Sequence, residues 1–172
     1  GIVNDIDGLV NELKDWYQKN GTEKTGGWIF GLGFDDAILK EKRFPTKYDL
    51  DKVSMDVPIC IVHISGHFCV MNTKGLEMKK ITTASRNPAG GVIRRMTGSQ
   101  KPNGVLEELA AIPAFFPILT PTEPALAEYY LDKAQEMAVK FGYTTAQEGR
   151  AMTNHESMAN YAEKGKFKID VV

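Results

Sequence analysis

Between Asn4 and Lys19 the apolar residues Ile6, Leu9, Val10, Leu13, Trp16 and Tyr17 recur at spacings of three and four, which predicts an amphipathic helix. Asn4 or Asp5 is placed to cap it and Gly21 to stop it. Trp28–Phe34 is short, aromatic and β-branched, and reads as a strand followed by an Asp35-Asp36 loop. A short charge-rich helix is predicted over Tyr48–Val53, ending before Pro58. Pro58–Ile64 is an almost unbroken apolar run, the pattern of a strand covered on both faces.

Gly66 breaks that strand, and Phe68, Met71, Leu76 and Met78 suggest a helix over His67–Lys80, interrupted at Gly75. Glycines and prolines between Asn87 and Asn103 flank Gly91–Met96 and predict a hairpin. Val105–Ala111 reads as a short helix ended by Pro113, because proline disfavours a helical residue before it. A longer helix is expected over Ala125–Phe141, stopped by Gly142. Tyr143–Gln147 as a strand, Thr153–Lys164 as a helix capped by Thr153, and Phe167–Val172 as a strand make a βαβ unit, hence a parallel sheet.

The 172 residues suffice for one domain with a core, possibly with an appendage, and 42% hydrophobic with 25% charged residues is an ordinary globular balance. A net charge of -1, from 21 basic and 22 acidic residues, leaves no electrostatic footprint for nucleic acid or an acidic membrane. No apolar stretch approaches the ~20 residues of a membrane span. Cys60 and Cys69 lie in apolar runs without CxxC or metal-ligand spacing, which fits buried thiols in a reducing compartment and favours a cytoplasmic location. The opening Gly-Ile-Val and the strand-like Lys-Phe-Lys-Ile-Asp-Val-Val at the end read as boundaries inside a longer protein.

Three clusters carry candidate chemistry. In His63-Ile-Ser-Gly-His-Phe-Cys-Val-Met-Asn72 a buried strand ends in a glycine turn, the end at which α/β proteins bind ligands. A lone strand histidine such as His63 is more often a satisfied core group, whereas His67 stands on the turn itself. The two are not spaced as a helical zinc pair, and no acid or cysteine follows at ligand distance, so no metal ligand and no catalytic residue is assigned. In Gly104-Val-Leu-Glu-Glu108 two acids enter the expected short helix, where a solvated N-terminus is reason enough for them. Gly142–Gly149 ends a strand with Gln147 and Glu148, which equally suits a polar loop. Gly31 and Gly33 lack the third glycine of a phosphate loop, and no Ser-His-Asp or Cys-His signature is present.

Taken in order, Trp28-Ile-x-Gly-x-Gly-Phe-Asp35, Pro45-Thr-x-x-Asp-Leu-Asp51, Ser65-Gly-His67, Met71-Asn-x-x-Gly-Leu76, Asn87-Pro-x-Gly-Gly91, Gly104-Val-Leu-x-Glu108 and Gly142-x-Thr-Thr145 resemble amidohydrolase family 3 of the amidohydrolase superfamily, from about Gly26 onward. The resemblance implies an α/β fold: residues 1–141 as an insertion (lid) domain of a TIM-barrel metal-dependent hydrolase, between barrel strands one and two, and residues 142–172 as a short βαβ piece of the barrel, strands two and three. It implies hydrolysis of an amide-type C–N bond by a hydroxide on one or two divalent metals, most often zinc. The family's ligands are a His-x-His pair, a lysine, two further histidines and an aspartate. This sequence has no His-x-His, and the lysine strand would follow Val172, so no cofactor is expected on this chain and it alone is expected to be inactive. Its expected partners are a small-molecule substrate and the remainder of the barrel. The polar positions expected to bind substrate are His67, Asn72, Glu108 and Gln147. The same residues would also suit a non-catalytic small-molecule-binding or regulatory module, or a small complete enzyme using His63, His67 and Glu108.

Overall fold

The periodicity at the N-terminus is expressed as helix α1 (Ile6–Asn20), with Asp5 capping by accepting the Gly8 N–H and Gly21 ending it. The computed structural model describes residues 3–120, 123–149 and 155–172. These form two compact units, Gly1–Leu119 and Thr120–Val172. Within the second unit the long helix α5 (Pro124–Lys140) packs on α6 (His155–Glu163).

In the first unit β1 (Ile29–Phe34), β2 (Ile59–His63), β3 (Phe68–Met71), β4 (Gly91–Arg95) and β5 (Pro102–Glu108) build one mixed sheet in the order β1-β2-β3-β5-β4. β1 and β2 are parallel and the remaining pairs antiparallel. Alternation along the strands divides the core between two faces. Ile59, Ile61, Val70 and Val105 meet Leu9 and Leu13 of α1 and Leu50 of α2 (Lys47–Asp51). Cys60, Val62, Cys69, Met71 and Leu106 meet Leu76 of α3 (Thr73–Met78) and Phe115 and Ile118 of α4 (Ile112–Leu119). Helices therefore cover both faces, as the unbroken apolar run of β2 requires. Cys60 and Cys69 are buried free thiols, and burial together with the neighbouring Cys69 pushes the Cys60 thiol well up.

Two expected helices are corrected. The segment from His67 to Lys80 is not one helix, since Phe68–Met71 pairs with both β2 and β5 as a strand and only Thr73–Met78 is helical. Val105–Ala111 is not a helix either: Val105 and Leu106 are buried on opposite faces of the sheet as part of β5. Pro113 lies in the first turn of α4, where its missing N–H costs nothing, so it opens a helix instead of closing one.

The motif Pro45-Thr-x-x-Asp-Leu-Asp51 is structural. Asp49 accepts from the Thr46 N–H and from the Arg43 guanidinium, while Asp51 accepts from the N–H and hydroxyl of Thr73 and so ties α2 to α3.

In the second unit β6 (Thr145–Ala146) and β7 (Asp170–Val171) pair in parallel, as the βαβ pattern predicts. Tyr161 is its buried centre: the hydroxyl donates to Asp132 and accepts from Gln135, and Phe167 packs edge-on at 4.8 Å. Thr153, the expected cap of α6, lies outside the described residues. Among the described residues no helix is long and apolar enough to cross a membrane.

Candidate functional site at one end of the sheet

β2 turns into β3 through Ile64-Ser-Gly-His67, where Gly66 adopts φ 74° and donates to the His63 carbonyl. Ser65 bridges the two histidines: its Oγ lies 2.8 Å from His63 Nδ1 and accepts the His67 N–H at 3.2 Å. His67 is thereby held at the start of β3, beside the end of β5, where the Glu108 N–H donates to its carbonyl at 2.8 Å.

Across that junction His67 Nδ1 meets Glu108 Oε2 at 2.8 Å, joining residues 41 apart in sequence. With a carboxylate accepting at Nδ1, the neutral form of the imidazole carries its proton there, which leaves Nε2 as its acceptor. The side chains are 57% and 49% exposed, so the pair is worth only about 0–1 kcal/mol in stability. Glu108 nevertheless sits at φ 49°, left-handed backbone that costs a non-glycine residue on the order of 1 kcal/mol or more. The turn that imposes it runs tightly over Gly91, where a Cβ would come within 2.3 Å of the Ala110 nitrogen.

The other two candidates sit differently. Asn72 is wholly buried; its Oδ1 accepts from Ile59 and Gly75 at 2.9 and 2.8 Å, and its Nδ2 donates to Ser54 and Val57 carbonyls at 2.8 and 2.9 Å. These bonds consume the amide and make Asn72 the cap of α3, which leaves nothing for a substrate. Gln147 follows β6 in the second unit and is exposed.

One grouping escaped the sequence. Gly33, at φ 87°, is the unpaired residue of a bulge in β1, so that Leu32 faces Val62 but Phe34 faces His63. The bulge swings Asp35 and Asp36 over the imidazole of His63. Nothing local links these positions; the double glycine of β1 is the only hint. Phe34, Phe44 and Phe68 surround the ring with centroids 5.2–5.6 Å away. Arg94 stacks on Phe44 and pairs with Glu107, which joins this cluster to the neighbourhood of Glu108.

Helices on both faces of a mixed sheet, with histidine and carboxylate side chains gathered at one sheet end, make this unit an α/β fold. The chain belongs to the amidohydrolase family, whose model matches residues 1–172. It is 36% identical over 86 residues to the N-substituted formamide deformylase of Arthrobacter pascens, covering 50% of this chain and 16% of that protein. Metal-dependent hydrolases of Pyrococcus furiosus and Pyrococcus horikoshii OT3, both described as uncharacterized, share its fold with TM-scores of 0.62 and 0.59 at 21% identity, over 98% of this chain and 31% and 30% of theirs. The chain thus spans less than a third of the length of each.

Membership of this family implies a divalent metal in the longer protein. The ligand set implied by the resemblance does not fit the residues present: His63, His67 and His155 stand singly in sequence, with no His-x-His.

Proposed function

We propose that this chain is the pocket-covering part of a longer metal-dependent amidohydrolase that cleaves an amide-type C–N bond in a small molecule. In this proposal residues 1–141 are the insertion between barrel strands one and two, and β6 and β7 are strands two and three. The catalytic metal, taken as zinc, is held by residues beyond this chain.

His67 and Glu108 are the substrate-facing pair. Glu108 fixes the imidazole so that Nε2 can accept a hydrogen bond from the substrate, for example from an amide N–H, and orient the scissile group. In the second unit, taken by itself, exposed Gln147 is a candidate substrate-binding position. The observation that carries the proposal is the exposed 2.8 Å hydrogen bond made by a residue with left-handed backbone.

The test is turnover of N-substituted formamides and simple amides by the longer protein, with His67→Ala beside the unaltered enzyme. A loss of about 10²-fold in kcat/KM with an unmoved melting temperature is expected. Normal turnover in the variant refutes the role of His67, and tight binding of the amide without any hydrolysis makes the chain part of a non-catalytic binding module.

A further inference from the structure

Asp35, Asp36 and His63 each bring one ligand atom within 4.8 Å of the others. His63 Nε2 lies 3.2 Å from Asp36 Oδ1 and 3.9 Å from Asp35 Oδ1. Two atoms bound at ~2.1 Å to one ion stand ~3.0–3.4 Å apart at octahedral or tetrahedral angles. The first separation already fits, and the second needs to close by roughly half an ångström.

The nitrogen itself points to a ligand. Nε2 is shielded from solvent and has no hydrogen-bond partner among the described residues, although Asp36 Oδ1 lies 3.2 Å away. The three phenylalanine rings keep the imidazole from turning elsewhere. The far nitrogen accepts the Ser65 N–H at 3.1 Å and lies 2.8 Å from the Ser65 hydroxyl, a group that can also accept from Nδ1–H as a metal-bound histidine requires. Asp35 and Asp36 are about 28% and 34% exposed, which leaves the open side of the grouping to water.

We propose that Asp35, Asp36 and His63 bind one divalent transition-metal ion, at a site separate from the catalytic metal of the family. One imidazole with two carboxylates suits zinc or manganese and does not suit calcium, which takes oxygen ligands alone. Without metal, the Ser65 N–H, 3.1 Å from Nδ1, and the Ser65 hydroxyl both donate to that nitrogen, leaving the ring proton on Nε2. Metal at Nε2 moves this proton to Nδ1, where Ser65 Oγ turns from donor to acceptor and the Ser65 N–H gives up its bond, so the ring neither gains nor loses a proton. Because Ser65 Oγ also accepts the His67 N–H, the ion would firm the turn that presents His67.

The test is calorimetric titration of the 172-residue chain with zinc chloride and, separately, manganese chloride, together with ¹⁵N NMR of the His63 ring. One ion per chain is expected, with affinity at least about tenfold weaker in Asp36→Asn. Affinity is expected to be unchanged in His67→Ala, and the His63 proton is expected to pass from Nε2 to Nδ1 on saturation. Circular dichroism is to be recorded on Asp36→Asn, which at a partly exposed position is expected to keep the fold. Absence of stoichiometric binding, equal affinity in folded Asp36→Asn, or a proton that stays on Nε2 at saturation each overturns the proposal.

Discussion

Replacing Asn72 by alanine removes four hydrogen bonds at once: two backbone N–H groups, of Ile59 and Gly75, and two carbonyls, of Ser54 and Val57, lose their partner. A hydrogen bond contributes about 0.5–1.5 kcal/mol net, and a buried group left unpaired costs more, so a loss of roughly 4 kcal/mol is expected. That is a large fraction of the ~5–15 kcal/mol that holds a typical domain together. Urea unfolding followed by tryptophan fluorescence reads it, because Trp16 and Trp28 both lie in the first unit. The midpoint should fall sharply while the slope stays constant. A change below about 1 kcal/mol would show that water or a rearranged α3 satisfies these groups, and that Asn72 is free for another role.

Two further substitutions test the frame of the site. Burial alone would raise the Asp49 carboxyl, but the hydrogen bonds from Arg43 and Thr46 outweigh it and hold it below the usual carboxylate range. Its contribution is therefore present above the unfolded value near ~3.9 and lost as pH falls through the folded one. Asp49→Asn should cost about 1–3 kcal/mol at neutral pH, and its gap from the unaltered protein in urea midpoint should close on acidification below pH ~4; a gap independent of pH contradicts this. Gly91→Ala should destabilise by at least about 2 kcal/mol in thermal unfolding, since the added Cβ meets backbone at 2.3 and 2.7 Å, and a neutral result would mean that the turn carrying Glu108 is not held as described.

Elements whose own residues decide their form are legible in the sequence: the spacing in α1, the apolar run of β2, and α5 between Pro124 and Gly142. β3 and β5 are not. Phe68-Cys-Val-Met71 is too short for its period to distinguish strand from helix, and Val105-Leu-Glu-Glu-Leu-Ala110 is rich in helix formers. Pairing on both edges of β5 decides that segment, a tertiary effect that local preference does not contain. His67 and Glu108 each stand in a motif, but their meeting depends on those same two strands. Asp35 and Asp36 look like an ordinary loop in sequence because their approach to His63 follows from the bulge at Gly33, a register event between β1 and β2.

In the proposed enzyme His67 and Glu108 act as one substrate-facing unit. A double-mutant cycle on kcat/KM in the longer protein, with His67→Ala, Glu108→Gln and the pair, tests this most directly. If Glu108 works by orienting His67, each single substitution should lower kcat/KM by about 10²-fold, and the double should be no worse than the worse single. Losses that multiply across the cycle, or single variants that keep normal turnover, would contradict it.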